Sequence, residues 1–240
     1  MNTIKFDNKG EIKMIAHRGL SGLEFENTCP AFVAAGVKSY YGIETDVHVT
    51  SDGQFVIVHD DDLKRIAKLN MSVEGSTFEE LRAVQLKDTD GKTERKDLFL
   101  PTLNEYLAIC KKYDKQSILE LKNPMEKEKV WEIAEVCKAM GWYNRTTFIS
   151  FAGENLTSLR EKYPDADAQF LTCDATDETF SFMVNNKLDA DLCGTCISKE
   201  FVDRLHKEGR KVNCWTIDCL EHAELMKAAG VDMITSNILE

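Results

Sequence analysis

Strand-like and helix-like stretches alternate along this chain from end to end, and that alternation constrains its fold more than any other feature. Apolar strand candidates fall at Lys13–Ala16, Gly42–Val47, Phe55–Val58, Ser117–Leu121, Thr147–Ser150, Ala168–Leu171, Asp191–Cys193, Lys211–Thr216 and Met233–Thr235. Helical patterns lie at Cys29–Lys38, Leu103–Tyr113, Lys127–Met140, Glu154–Lys162, Asp177–Lys187, Lys199–Glu208 and Leu220–Ala229. Asn27 or Thr28 is placed to cap the first helix, and Thr102 with Glu105 forms a capping-box pattern for the second. Gly36, Gly141, Gly209 and Gly230 fall just past helix ends, where a left-handed residue stops a helix. Strict alternation predicts a parallel sheet, and its repetition over 240 residues predicts a closed TIM-type (β/α)8 barrel, one domain over residues 1–240. An open doubly wound sheet is the alternative, but no glycine-rich dinucleotide loop follows the first strand.

Nine strand candidates are one too many for eight. The connection from Asp46 to Phe55 is too short for a helical crossover, so it is an extended return or a local hairpin. Either the third candidate joins irregularly, or the weak Asp191–Cys193 candidate is not a barrel strand. The stretch Asp60–Leu100 also breaks the rhythm, with a helix-like Thr77–Val84 and a charged run KDTDGKTERKD around Gly91. Its length suits a small insertion on the loop after the third strand, leaning over the rim where barrel active sites lie. A disordered surface loop is the competing expectation for 87–96.

The first strand ends in His17-Arg18-Gly19, the second carries Glu44 and Asp46, and the third ends in His59-Asp60. Successive strand side chains alternate faces, so Glu44 and Asp46 point the same way. Two carboxylates on one face at the end of an apolar strand repel each other and are costly to bury without a cation. Histidines ending neighbouring strands supply groups that exchange protons near neutral pH. The combination reads as a hard-metal site flanked by an acid and a base. His48, of opposite parity to Asp46, is expected to pack outward, and His206 and His222 to sit on the surface or at helix ends.

These residues carry a resemblance. The run HRG…ENT…AF…A…G…E-x-D-V…T-x-D-G…V…HD…L-x-R resembles the glycerophosphodiester phosphodiesterase family, among the barrel phosphodiesterases related to phosphatidylinositol-specific phospholipase C. It is dense from His17 to Arg65 and continues at Pro101-Thr102-Leu103, Glu120-Leu121-Lys122, Trp215-Thr216 and Gly230-Val231-Asp232. The resemblance implies metal-dependent hydrolysis of glycerophosphodiesters to glycerol 3-phosphate and an alcohol. It makes Glu120 the third metal ligand beside Glu44 and Asp46, with Mg²⁺ or Ca²⁺ (Mn²⁺ also fitting) preferred to zinc by an all-oxygen set. It makes His17 and His59 the general acid and base in an order left open, and has Arg18 and Lys122 grip the phosphate oxygens. It implies an internal glycerol hydroxyl as first nucleophile, through a cyclic phosphate, and Trp215 as an aromatic wall for the glycerol. Two departures are visible: Phe25 stands where the family usually has proline, and Thr235-Ser236 where it usually has Thr-Asp.

Composition narrows the partners. A net charge of −11 with no basic block argues against nucleic acid or a stable anionic-membrane association. The polar start MNTIKFDNKGEIK holds no signal-peptide core, so a cytoplasmic protein is expected. Among the eight cysteines, Cys110, Cys137, Cys173 and Cys214 lie in apolar settings typical of buried free thiols. Cys193-Gly194-Thr195-Cys196 has redox or zinc half-site spacing but no second half. The competing functions are a lysophospholipase D or cyclising phospholipase on the same scaffold and a non-catalytic phosphate-binding barrel. More distant is a glycosidase using Glu44 and Glu120.

Overall fold

A computed structural model describes residues 2–240. The first strand, β1 (Lys13–Ala16), pairs in parallel with β2 (Gly42–Val49) across the helix α1 (Cys29–Gly36). After β2 the chain turns back into β3 (Phe55–Ile57), then passes two short helices, α2 (Lys64–Ala67) and α3 (Phe78–Arg82), before α4 (Leu103–Lys112). From there strand and helix alternate: β4 (Gln116–Leu121), α5 (Lys127–Ala139), β5 (Thr146–Ser150), α6 (Gly153–Lys162), β6 (Asp167–Thr172) and α7 (Asp177–Asn185). The chain ends with β7 (Asp189–Cys193), α8 (Lys199–Lys207), β8 (Val212–Trp215), α9 (Leu220–Ala229) and β9 (Met233–Ser236). Strand β9 closes onto β1, so the strands β1-β2-β4-β5-β6-β7-β8-β9 form a complete parallel barrel.

The surplus candidate is β3. Of the strands it pairs with β2, antiparallel with His48 opposite Val56, because Thr50–Gln54 is a tight hairpin turn, and its other edge makes an isolated bridge from Val56 to Thr102. Thr50 and Gln54 bond through their backbones at 2.9 Å, and Gly53 takes φ of +78°, which a Cβ would disfavour. The weak Asp191–Cys193 candidate is a full barrel strand, paired on both sides with β6 and β8. The insertion therefore lengthens the loop of the second barrel strand, and β3 belongs to it.

The insertion has its own core, in which Val56, Val58, Leu63, Ile66, Leu81 and Leu98 are buried together. Apolar burial of this kind orders a segment that the barrel alone would not hold. The charged run is pinned as well. Gln85 Nε2 donates to the carbonyls of Arg95 (2.7 Å) and Leu98 (3.0 Å), and Arg95 meets Glu24 at 2.6 Å. Phe25 packs against this second core and is not among the residues lining the pocket.

The main core lies between strands and helices, and a smaller apolar layer of Ile15, Ile118, Ile149, Leu171 and Met233 fills the barrel. Above that layer the inward positions turn polar, which sets the site at the C-terminal rim. Cys110, Cys137 and Cys214 are buried as expected, whereas Cys173, one residue past β6, is exposed because the strand has left the barrel wall.

Candidate active site

Strand β2 turns Glu44 and Asp46 inward, and Glu120 on β4 stands beside Asp46 in register. Oxygens of the three carboxylates approach within 4.8 Å of one another, with residue exposures of 4%, 1% and 7%. Three anions that close and that buried are unstable by themselves. The protein supplies two cations. Lys122 Nζ lies 2.8 Å from Glu120 and 3.6 Å from Asp46, and Arg18 Nε lies 3.7 Å from Asp46. Neutral donors add to these: the Arg18 backbone N–H reaches Glu44 at 2.8 Å, and Asn27 Nδ2 reaches Asp46 at 2.7 Å.

The compensation is incomplete. Burial raises the Glu44 carboxyl well above the usual range, and the charges of Asp46 and Glu120 add to the effect. Burial and the Asp46 charge push Glu120 up to about 7. Burial also works to raise Asp46, but Lys122, Arg18 and His59 outweigh it and hold that carboxyl below its usual value. Asp46 Oδ1 has no hydrogen-bond partner although fully buried. Two carboxyls raised by burial and mutual repulsion around a bare oxygen fit a hard divalent cation with oxygen ligands.

Arg18 owes its position to strained backbone. It takes φ of +53°, and the next residue, Gly19, takes +76°. A Cβ on Gly19 would sit 2.7 Å from the backbone of Ala31, so the turn that aims Arg18 into the site needs glycine there. Asn27, also at φ of +53°, receives Thr45 Oγ1 on its carbonyl oxygen at 2.7 Å, which turns its amide toward Asp46. Thr28, not Asn27, caps α1. The sequence reading gave Asn27 only that capping role; its place in E-N-T was the available signal.

The two histidines flank the carboxylates in different surroundings. His17 Nδ1 lies 2.8 Å from Asn237 Oδ1. The Asn237 Nδ2 donates to Asp218 at 2.6 Å, and an ionised carboxylate only accepts, so the Asn237 oxygen must face His17. Nδ1 is then the protonated nitrogen, and Nε2, 4.0 Å from Glu44, carries the lone pair. Burial and the Arg18 charge lower the His17 pKa, which keeps it neutral. His59 Nδ1 instead lies 2.7 Å from Asp60, a carboxylate. Burial opposes ionisation of Asp60, but Arg65 and His59 hold it at about 2. Arg65 also clamps Glu26 through two bonds of 2.7 and 2.8 Å, and Glu26 receives Arg18 at 2.8 Å. This network ties the insertion to the barrel through groups that only their spacing in ENT and L-x-R suggested.

His48 faces away from the carboxylates, as its parity requires, yet it is buried. The insertion covers that outer face, and His48 Nδ1 meets Glu74 at 3.0 Å. His206 pairs with Asp232 at 2.9 Å on the surface, and His222 is exposed. Trp215 lines the pocket with Phe151, their rings edge to face at 5.7 Å. The pocket above the carboxylates is a cavity of about 90 Å³. A larger cavity of about 360 Å³ opens at the opposite mouth among Lys13, Asp167, Asp189 and Lys211, far from both histidines. Its opposed charges balance, and we place the chemistry at the smaller cavity, where the histidines and carboxylates converge.

A parallel barrel with three carboxylates and two histidines at its C-terminal rim is the form of a barrel phosphodiesterase. Residues 17–239 match the glycerophosphoryl diester phosphodiesterase family, and the chain belongs to it. It is accordingly a phosphoric diester hydrolase. A glycerophosphodiester phosphodiesterase of Bacillus altitudinis is 28% identical over 231 residues, covering 92% of this chain and 93% of its own. One from Caldanaerobacter subterraneus is 28% identical over 230 residues, covering 93% of both. Among solved structures, an Oleispira antarctica phosphodiesterase in complex with its product sn-glycerol-3-phosphate superposes with a TM-score of 0.87. It is 25% identical, covering 94% of this chain and 93% of its own. Among the described residues no helix is long and apolar enough to cross a membrane.

The raised carboxyls have a signed consequence. A carboxyl whose pKa is higher folded than unfolded loses stability as pH rises from its unfolded value, near 4.5, toward its folded one, about 7 for Glu120. Metal-free protein should therefore melt lower at pH 8 than at pH 5.5. Added Mg²⁺ or Ca²⁺ should raise the melting temperature more at pH 8, where the ligands are ionised. Differential scanning fluorimetry at the two pH values checks this; an equal or larger shift at pH 5.5 contradicts it.

Proposed function

We propose that this chain hydrolyses small glycerophosphodiesters to glycerol 3-phosphate and an alcohol, using a divalent cation held by Glu44, Asp46 and Glu120. The observation that carries the reading is the opposed wiring of the two histidines on either side of the carboxylate cluster. A binding protein needs no such pair. When bound, a cation at these oxygens neutralises phosphoryl charge and makes a nearby hydroxyl easier to deprotonate.

The residues themselves divide the proton work. His17, neutral with its lone pair on Nε2, is suited to take the proton from the nucleophile, and we assign it the base. The glycerol C2 hydroxyl attacks phosphorus, the bond to the alcohol oxygen breaks, and a cyclic phosphate results. His59, whose Nδ1 is held by Asp60 at 2.7 Å, is placed to give its Nε2 proton to the departing oxygen, and we assign it the acid. Water then opens the ring with the roles reversed, and both histidines return to their starting states. Arg18 and Lys122, each in contact with the carboxylates, would meet the non-bridging oxygens, Arg18 with a planar fork and Lys122 with a point charge. The cavity of about 90 Å³ is far below the roughly 300–1,000 Å³ of sites that take drug-sized ligands, and it favours a short head group over an acyl chain.

Exhaustive chelation should abolish alcohol release from glycerophosphocholine, and Mg²⁺, Ca²⁺ or Mn²⁺ added singly should restore it. Glu44→Gln, Asp46→Asn and Glu120→Gln should each need far more cation for any recovery, since each removes one charge from the ligand set. Full turnover after metal removal would end the metal-dependent reading.

The two histidine roles separate with the leaving group. On glycerophosphocholine, His17→Ala and His59→Ala should each lower kcat roughly a hundredfold or more. On glycerophospho-p-nitrophenol, whose leaving oxygen needs no proton, His59→Ala should recover most of its rate while His17→Ala should not. The opposite pattern would exchange the assignments.

The specificity constant for glycerophosphocholine should exceed those for a micellar lysophospholipid and for a vesicle phospholipid. Faster cleavage of either lipid would favour the lipase alternative.

A further inference from the structure

One inward residue of the pocket has no part in this chemistry. Asp191 lies on β7, which stands four strands from β2 in either direction around the barrel and so faces Glu44 and Asp46 across it. Its exposure is 1%, it lines the same cavity as His17, Glu120 and Trp215, and its Oδ1 has no hydrogen-bond partner. Its surroundings are otherwise settled. Asn213, its register partner on β8, exchanges hydrogen bonds with Thr235 at 3.0 and 3.3 Å, while the indole of Trp215 donates to the Asp191 backbone carbonyl at 3.3 Å. A buried oxygen left bare costs stability unless a ligand satisfies it.

We propose that Asp191 is a specificity residue that hydrogen-bonds the terminal hydroxyl of the substrate's glycerol, opposite the end that holds the phosphate. The inference rests on the phosphodiesterase reading above and deepens it. With the phosphate at the β2 side, the glycerol carbons run along the apolar wall of Ile149, Leu171 and Trp215 toward β7. Among the described residues lining this cavity, Asp191 is the one with a bare side-chain acceptor. An ammonium head group is the other occupant a carboxyl attracts. The bare Oδ1 is buried in a cavity of about 90 Å³ walled by Ile149, Leu171 and Trp215, which suits a small hydroxyl better than a bulky ammonium. Burial, with the charge of Glu120, raises this carboxyl, which weakens its pull on a cation. A site built to bond a hydroxyl discriminates strongly against the analogue that lacks it, because its own polar group is then left unpaired.

The test compares glycerophosphocholine with the propane-1,2-diol analogue, which keeps the C2 nucleophile and lacks only the terminal hydroxyl. Wild-type protein should favour the glycerol diester by tenfold or more in kcat/KM. Asp191→Ala should cut that preference to within about threefold by losing rate on the glycerol diester alone, and Asp191→Asn, which keeps a donor and an acceptor in the same volume, should retain most of it. Equal wild-type rates on the two diesters, or an unchanged preference in Asp191→Ala, overturn the assignment while leaving the phosphodiesterase reading intact. Wild-type protein inert on both diesters in the presence of cation overturns that reading and this one with it. Should Asp191→Ala fail to fold, the wild-type comparison and Asp191→Asn decide, since loss of the preference in the isosteric variant would also overturn a hydrogen-bonding role.

Discussion

Mutual repulsion among Glu44, Asp46 and Glu120 is the constraint around which the rest of this structure is arranged. A barrel interior admits little water, so three carboxylates within 4.8 Å either lose protons reluctantly or gather positive charge. Both responses are present. Glu44 and Glu120 are raised, while Asp46, which lies within 4 Å of both Lys122 and Arg18, is lowered. The strained turn at Arg18-Gly19 follows from the same demand. It brings a backbone N–H and a guanidinium to the cluster from one residue, and the left-handed backbone that does so is tolerated because the bonds it makes over-determine it.

The insertion answers a second demand, that His59 be held at a rim it does not reach by belonging to a barrel strand. Strand β3 leaves the barrel by a hairpin, and its end is steered by Asp60, Arg65 and Glu26 back to Arg18. The ion pairs in this chain are partly exposed, and singly such pairs contribute little. Linked through shared partners, they fix the orientation of one imidazole relative to the barrel. The core beneath them supplies the stability, and the charges supply the aim.

The barrel was legible in the sequence because alternation of strand and helix has few solutions, and the nearness of Glu44 to Asp46 was legible because strand parity puts both on one face. Parity accounts for Glu44 and Asp46 on β2, whereas Glu120 was suggested only by the resemblance and His59 is set at the rim by the insertion. What stayed hidden depends on partners distant in the chain. Asn237 reaches His17 over 220 residues, and nothing in its neighbourhood marks it as an orienting group. Asp191 looked like part of a weak strand, since a single inward carboxyl has no pattern of its own. His48 was read correctly for direction and wrongly for environment, because parity says which way a side chain points and not what lies there. The surplus strand was decided by turn length: the residues Thr50–Gln54 close a hairpin and cannot cross a barrel.

The departure at Ser236 bears on how the two histidines come to differ. Here the residue after Thr235 has a hydroxyl, and the nearby carboxylate comes from Asp218 on the loop after β8. Asp218 receives Ser236 Oγ at 2.9 Å and both the backbone and side-chain N–H groups of Asn237, at 2.7 and 2.6 Å. The carboxylate therefore reaches His17 only through an amide. An amide carbonyl fixes the Nδ1 proton and the ring orientation as firmly as a carboxylate would, but brings no full negative charge to favour the imidazolium. His59, with Asp60 directly on its ring, has that charge. One interposed asparagine thus gives two residues of the same kind different ring partners, an amide at His17 and a carboxylate at His59.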